Sequence, residues 1–274
     1  MFMRALRSIL IATSLLGVAL PLNPAVASEK LRLGGTGGII EAMRQVAPHF
    51  KAATGVEMEV IGGLGSGGAL RALSDGVLDV VAAARDFTPE EAKGPLVSKA
   101  FARTPLVFVT WLQKPNGLNS KDIAAIFATP DPKWQDGTPL KIILRTKMDS
   151  DTALAEREIP GVKDAIERAR RRADVPVAAT DQDNVAFAQR LPGSLTWAGL
   201  GQIVAEKSDL RLVAIDGVTP SLETLANKTY PYEKPFFLVF AADRSAGAEK
   251  LLTFLRSPEG RKVLLATGNL AIGE

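Results

Sequence analysis

Two glycine-rich runs carry the first chemical signal in this chain. Gly34-Gly35-Thr36-Gly37-Gly38 lies between the short strand pattern Leu31–Leu33 and a helical pattern that begins near Ile39. The second run, Gly62-Gly63-Leu64-Gly65-Ser66-Gly67-Gly68, follows Val56–Ile61, where Val56, Met58 and Val60 alternate with glutamates as in a half-buried strand. Ala69–Leu73 then opens a helix. Glycine admits positive φ and close approach, so several backbone N–H groups can converge above a helix N-terminus and attract an anion. One such run alone would read as a tight turn; two in tandem, each between strand and helix, point to binding. Arginines stand where further strands end. The apolar run Leu78–Ala84 delivers Arg85 and Asp86 to its carboxyl end, where open α/β sheets bind ligands. The strand Leu140–Leu144 ends in Arg145, and Asp149-Ser150-Asp151-Thr152 after it is rich in capping residues, a third candidate anion site.

Other chemistries fit these residues less well. Ser66 lacks the glycine two positions before it that a hydrolase nucleophile elbow needs, because Leu64 stands there. The chain holds no cysteine and a single histidine, His49, which follows Pro48 far along a helix, so neither a histidine-assisted serine nor a transition-metal centre has its parts. Arg85 has a plain alternative as a surface ion pair with Asp86 or Asp79. Trp134 and Trp197 read as packing residues.

The elements that hold these residues follow from periodicity. Ile39, Ile40, Met43, Val46, Ala47 and Phe50 keep helical spacing up to a stop at Gly55, and with the flanking strands they make a βαβ unit. Thr88-Pro89-Glu90-Glu91 reads as a helix start. Pro105–Trp111, Leu195–Ala198, Leu210–Ile215 and Phe236–Phe240 read as strands, and Asp181–Ala188 as a short helix. Asn119 or Ser120 caps a helix carrying Ile123, Ile126 and Phe127, and Ser257-Pro258-Glu259 starts the last one.

Residues 1–27 combine Arg4 and Arg7, an uncharged stretch from Ile9 to Leu20 and the small-residue site Ala25-Val26-Ala27, the pattern of a secretory signal peptide. The arginines are not adjacent, which favours the general secretory route, and no cysteine follows to carry a lipid. A periplasmic location is expected. Removing those two arginines from the 33 basic residues leaves 31 against 30 acidic ones, a balance of +1 that gives no electrostatic case for nucleic acid. Gly63, Gly65 and Gly68 also spell G-x-G-x-x-G after a strand, yet an exported protein has little access to a dinucleotide.

Taken in order over the mature chain, these features resemble the phosphate-binding family of ABC-transporter substrate-binding proteins. The matching segments are the Gly-rich loop and helix at 34–50, Gly65-Ser66-Gly67, Arg85-Asp86, Leu118–Phe127 with Trp134, Gly137–Arg145, Pro192-Gly193 before Leu195-Thr196-Trp197, Asp216-Gly217-Val218-Thr219-Pro220, Tyr230-Pro231, and Ser257-Pro258-Glu259-Gly260 before Gly268. The resemblance implies an α/β, two-lobed periplasmic-binding-protein fold of type II, with two crossing segments and a ligand cleft between lobes. Lobe one would hold 28–108 and 234–274, and lobe two 109–233. It also implies an oxyanion, inorganic phosphate or a similar one, held by Thr36 and Gly37, by Ser66 and Gly67, and by Arg145 with Ser150 and Thr152. No cofactor and no catalysed reaction are expected. The partner would be an ABC permease in the inner membrane, and the protein itself a monomer; a ligand-sensing protein of the same fold is the alternative. The chain departs from the family pattern in Asp86, one residue later than the usual carboxylate, in Asp151, where the family has glycine, and in Arg145, one residue further than usual from the Ser150–Thr152 group. On the ground that a carboxylate accepts the proton of a phosphate and repels sulfate, Asp86 or Asp151 is expected to favour phosphate.

Overall fold

The computed structural model describes residues 30–91, 95–244 and 246–273. The signal peptide expected over 1–27 lies outside the described residues. The chain opens with β1 (Lys30–Gly35), α1 (Gly37–Thr54), β2 (Glu57–Ile61), α2 (Gly65–Ser74) and β3 (Val80–Ala83). Here β1 pairs in parallel with both β2 and β3. The long β4 (Leu96–Thr110) leads into α3 (Ile123–Ala128), β5 (Lys141–Ile142), β6 (Leu144–Arg145), α4 (Ser150–Glu158), α5 (Val162–Ala169), β7 (Val177–Ala178), α6 (Asp181–Arg190), β8 (Ser194–Gly199), α7 (Leu200–Ala205), β9 (Arg211–Val213) and α8 (Leu222–Ala226). The chain returns through β10 (Glu233–Ala241) and ends in α9 (Ala246–Arg256), α10 (Pro258–Ala266) and β11 (Leu270–Ala271).

One mixed sheet runs β2-β1-β3-β10-β4-β8-β5, and β6 and β7 form a separate parallel pair. Apolar packing divides along it. Leu33, Met43, Phe50, Phe101, Phe236 and Phe254 belong to one buried cluster, whereas Phe108, Phe127, Trp197, Tyr230 and Tyr232 belong to another. β4 contributes Phe101 to the first and Phe108 to the second, so it crosses between them. Tyr232 and Phe236 do the same at the start of β10. Between those two stands Lys234, fully buried. Trp197 stacks on Phe127 with ring centroids 5.1 Å apart, and Trp134 is buried with its indole N–H donated to Gly193 O, so both tryptophans are packing residues.

Several boundaries differ from the periodicity. The strand expected from Pro105 begins nine residues earlier, at Leu96. Proline lacks the N–H a ladder uses, but Pro105 sits where β4 changes partners: Arg103 pairs with Leu270 of β11, and Leu106 pairs with Gly199 of β8. Thr88–Glu91 forms a turn, with Glu91 N–H donated to Thr88 O. The first glycine run is scarcely a loop, since Gly34 and Gly35 end β1, and Gly37 and Gly38 begin α1.

Gly35 shows why that run needs glycine. Its φ is not positive; instead a Cβ there would lie 2.0 Å from Ala82 O of the paired strand. Gly35→Ala must push β1 off β3, and overpacking of this kind costs about 1–3 kcal/mol. The upper end is expected, because the obstruction is backbone. Urea unfolding would measure it, and an unchanged midpoint would show that the sheet yields freely at this point.

Candidate functional site

The carboxyl ends of β1, β2, β3, β6 and β7 converge on one cavity of about 250 Å³. Its walls come from the turns that follow those strands, reaching the first turns of α1, α2, α4 and α6.

One wall is rich in donors. Thr36 is the N-cap residue of α1 but makes no side-chain capping bond, and Leu64 at the N-cap of α2 has no side chain able to make one. First-turn N–H groups at Gly37 and at Ser66–Gly67 therefore border the cavity without a side-chain cap, at the positive ends of two helices. Gly63 and Gly65 take positive φ, 80° and 64°, which lets the second loop turn into α2. Ser66 Oγ accepts the Ala84 N–H at 3.2 Å, which leaves its own O–H to donate. Arg85 is clamped by Glu91 through two 2.7 Å bonds. That hydrogen bonding holds the Arg85 pKa above its ordinary value and the Glu91 carboxyl below its own. Arg71 also borders this wall, close to Gly67 and Gly68.

The opposite wall is built on Arg145, only 3% exposed. Its guanidinium donates to Asp149 at 2.7 Å and lies 3.6 Å from Asp181. Burial alone would lower the Arg145 pKa, but the charges of Asp181 and then Asp149 raise it. Asp149 also caps α4, its carboxylate accepting the N–H groups of Asp151 and Thr152 at 3.1 and 3.0 Å. α6 is capped by Thr180 and Asp183 in a reciprocal box. The expected anion nest at 149–152 is thus closed by its own aspartate.

Two groups in the cavity wall remain under-used. Among the described residues, Arg145 Nε has no hydrogen-bond partner. Among the described residues, the carboxylate of Asp181, 6% exposed, makes only long contacts, 3.4 Å to Thr36 Oγ1 and 3.6 Å to Arg145. Charge-assisted bonds normally close to about 2.7–2.9 Å, so this carboxylate retains room for a donor. The two walls touch beside it, where Gln182 donates to Gly37 O at 3.2 Å. Glycine is required there, since a Cβ on Gly37 would come within 2.7 Å of Asp181 Oδ2.

Of the residues expected at the site, Thr36, Gly37, Ser66, Gly67, Arg85, Arg145 and Ser150 all border the cavity. Asp86, Asp151 and Thr152 do not border it. Asp86 is exposed and accepts the Phe87 N–H at 2.9 Å. Asp151 and Thr152 turn inward with the first turn of α4, and Asp151 meets Lys234, whose ammonium straddles its two oxygens at 2.6 and 2.7 Å. The carboxylates that do reach the cavity are Glu91, Asp149 and Asp181. Asp181 reads in the sequence as an ordinary first-turn acid; its one signal is the strand-to-helix turn at Ala178–Asp181, which has the same form as the two glycine turns. No group of residues suited to holding a metal ion occurs among the described residues.

The fold matches solved structures along nearly its whole length. A Clostridium perfringens substrate-binding protein assigned to phosphate ABC transport, with phosphate bound, superposes with a TM-score of 0.77 at 17% identity, over 89% of this chain and 100% of that one. An ABC-type phosphate transport receptor from Vibrio cholerae gives 0.62 at 18% identity, over 88% and 99%. The periplasmic molybdate-binding protein of Azotobacter vinelandii gives 0.60 at 15% identity, over 89% and 100%. No curated protein matches the sequence. A family model described as a PBP superfamily domain matches residues 23–259, and with strand ends, helix N-termini and cavity arranged as above, the chain belongs to the PBP superfamily.

Proposed function

We propose that this protein is a periplasmic solute-binding protein that captures phosphate or a related tetrahedral oxyanion in the cavity and presents it to an ABC permease in the inner membrane. It binds and releases, and catalyses no reaction. The observation that carries this reading is the pairing of two helix N-termini lacking side-chain caps with a buried arginine and a carboxylate short of donors. Oxyanion oxygens would take the N–H groups of α1 and α2, the Ser66 hydroxyl and Arg145, the combination of dipole, fork and charge that suits such ions. The similarity to oxyanion-binding structures from Clostridium perfringens, Vibrio cholerae and Azotobacter vinelandii supports the same ligand class.

The division into a lobe of 28–108 with 234–274 and a lobe of 109–233 is part of this proposal. The cavity walls then belong to different lobes, so a ligand bridging them favours the closed arrangement. Release from the signal peptide would leave the mature protein in the periplasm.

Asp181 takes over the role that Asp86 and Asp151 were expected to fill. A monoprotonated phosphate has a P–OH to give it, whereas sulfate at neutral pH offers only negative charge. Thermal-shift titrations of protein unfolded and refolded to strip bound ligand should give a larger rise in Tm with phosphate than with sulfate. Asp181→Asn should narrow that difference by about tenfold in relative affinity, the equivalent of about 1.4 kcal/mol. Equal responses to both ions in the unaltered protein would remove Asp181 as a proton acceptor, and no response to any oxyanion would refute the ligand class.

A further inference from the structure

Among the described residues, six ionisable side chains border the cavity, Arg71, Arg85 and Arg145 against Glu91, Asp149 and Asp181. Their formal charges cancel, but they are not matched one to one. Arg85 is held by Glu91 through two 2.7 Å bonds. Arg145 faces two carboxylates, Asp149 at 2.7 Å and Asp181 at 3.6 Å, so its wall carries one negative charge in excess. The charge that offsets this excess is Arg71. It is exposed and, among the described residues, its side chain has no hydrogen bond and no ion pair.

An arginine late in a helix is ordinarily explained by the negative end of the dipole, and Arg71 lies in the last turn of α2. Its guanidinium reaches the other way. Nη1 lies 3.8 Å from the place a Cβ on Gly67 would take, and Nη2 lies 3.9 Å from the corresponding place on Gly68, because helical side chains lean toward the N-terminus. Arg85 Nη2 lies 3.6 Å from the same Gly67 position. Arg71 thus holds its charge at the positive end of its own helix and beside a second guanidinium, two neighbours that both disfavour a cation. An anion in the cavity reverses that balance.

Resting on the oxyanion reading above, we propose that Arg71 is the capture residue of this site, offsetting the excess carboxylate on the Arg145 wall and drawing an oxyanion into the cavity through its field. Without it the side chains bordering the cavity carry a net negative charge, which an incoming anion must overcome. Its guanidinium stands in solvent, so salt screens its action, unlike that of the buried Arg145.

Calorimetric titration of refolded, ligand-stripped protein with inorganic phosphate at pH 8, in 10 mM and in 1 M sodium chloride, tests this, because the screening length falls from roughly 30 to roughly 3 Å between them. In 10 mM salt Arg71→Gln should bind phosphate about fivefold more weakly than the parent, and in 1 M salt within about twofold of it. Arg71→Lys, which keeps the charge, should stay within about twofold of the parent in both. Ligand-free Arg71→Gln should melt no lower than the parent, since the arginine gains nothing from its own helix. Unchanged affinity of Arg71→Gln in 10 mM salt would overturn the role of Arg71 and leave the oxyanion reading standing. A loss that 1 M salt does not reduce, or one accompanied by a lower ligand-free Tm, would overturn action through the field. A parent protein that binds no phosphate in either salt would overturn the oxyanion reading and this role with it.

Discussion

Arg145→Ala will lose at least a hundredfold in affinity for inorganic phosphate, and the variant will also be less stable than the parent. Both effects have one origin. Arg145 supplies the cavity's buried fork of donors and holds Asp149 and Asp181 at 2.7 and 3.6 Å. Its removal deletes charge-assisted bonds to the anion, worth about 1.5–3 kcal/mol each. It also leaves two carboxylates facing the space the anion would enter. Breaking one side of a buried pair costs about 3–5 kcal/mol in stability. Burial of the side chain and its two acidic neighbours are why the substitution does not spare the fold. Arg145→Lys keeps the charge without the planar fork and should fall between the two in affinity. Unchanged phosphate affinity in Arg145→Ala, measured by calorimetry, would take Arg145 out of the site.

Lys234→Met should have the largest effect on stability alone. Lys234 is fully buried on β10, a strand that crosses between the two core clusters, and it neutralises Asp151 at the start of α4. Burial by itself would lower the Lys234 pKa, and the charges of Asp151 and Asp181 raise it instead. Asp151 is pushed up to about 6 by burial, against the pull of Lys234. Without the lysine that carboxylate is uncompensated, at a cost of about 3–5 kcal/mol at neutral pH. The sign of its pH dependence follows from the raised value. A carboxyl whose folded-state pKa exceeds its unfolded one contributes stability below the unfolded pKa and loses it as pH rises through the folded one. Losing Lys234 raises the Asp151 pKa further, so the deficit of the variant should shrink as the pH falls from 8 to 5. Urea unfolding at those two values measures it. A deficit equal at both would mean that Asp151 is not the group left uncompensated.

How much of this was legible in the sequence depends on the range over which each feature is determined. Helix starts and stops are local, and Gly55, Ser257-Pro258 and the glycine turns place α1, α2 and α10 closely. The arginine at the end of β6 was legible for the same reason, because a strand that ends before a cap-rich turn presents its last side chain to that turn. Which carboxylate faces the ligand was not legible. Asp181 meets Thr36 across 145 positions of sequence, and nothing near Asp181 encodes that meeting. Asp149, Ser150 and Asp151 were equally placed to be the α4 N-cap residue; Asp149 takes the position, and the helix then turns Asp151 toward Lys234. Lys234 did leave a trace. It shares the alternating phase of Phe236, Leu238 and Phe240, all buried, and a lysine in that phase of a crossing strand needs a buried anion.

On the function proposed above, an oxyanion sits between the N-termini of α1 and α2 and the guanidinium of Arg145. A crystal structure of the refolded protein grown with arsenate, a tetrahedral oxyanion with a strong anomalous signal, tests it directly. One anomalous peak is expected in the cavity, with arsenate oxygens within hydrogen-bond distance of the Gly37 and Gly67 N–H groups, Ser66 Oγ and Arg145. A cavity filled by water alone, or arsenate bound only at other sites on the surface, would contradict it.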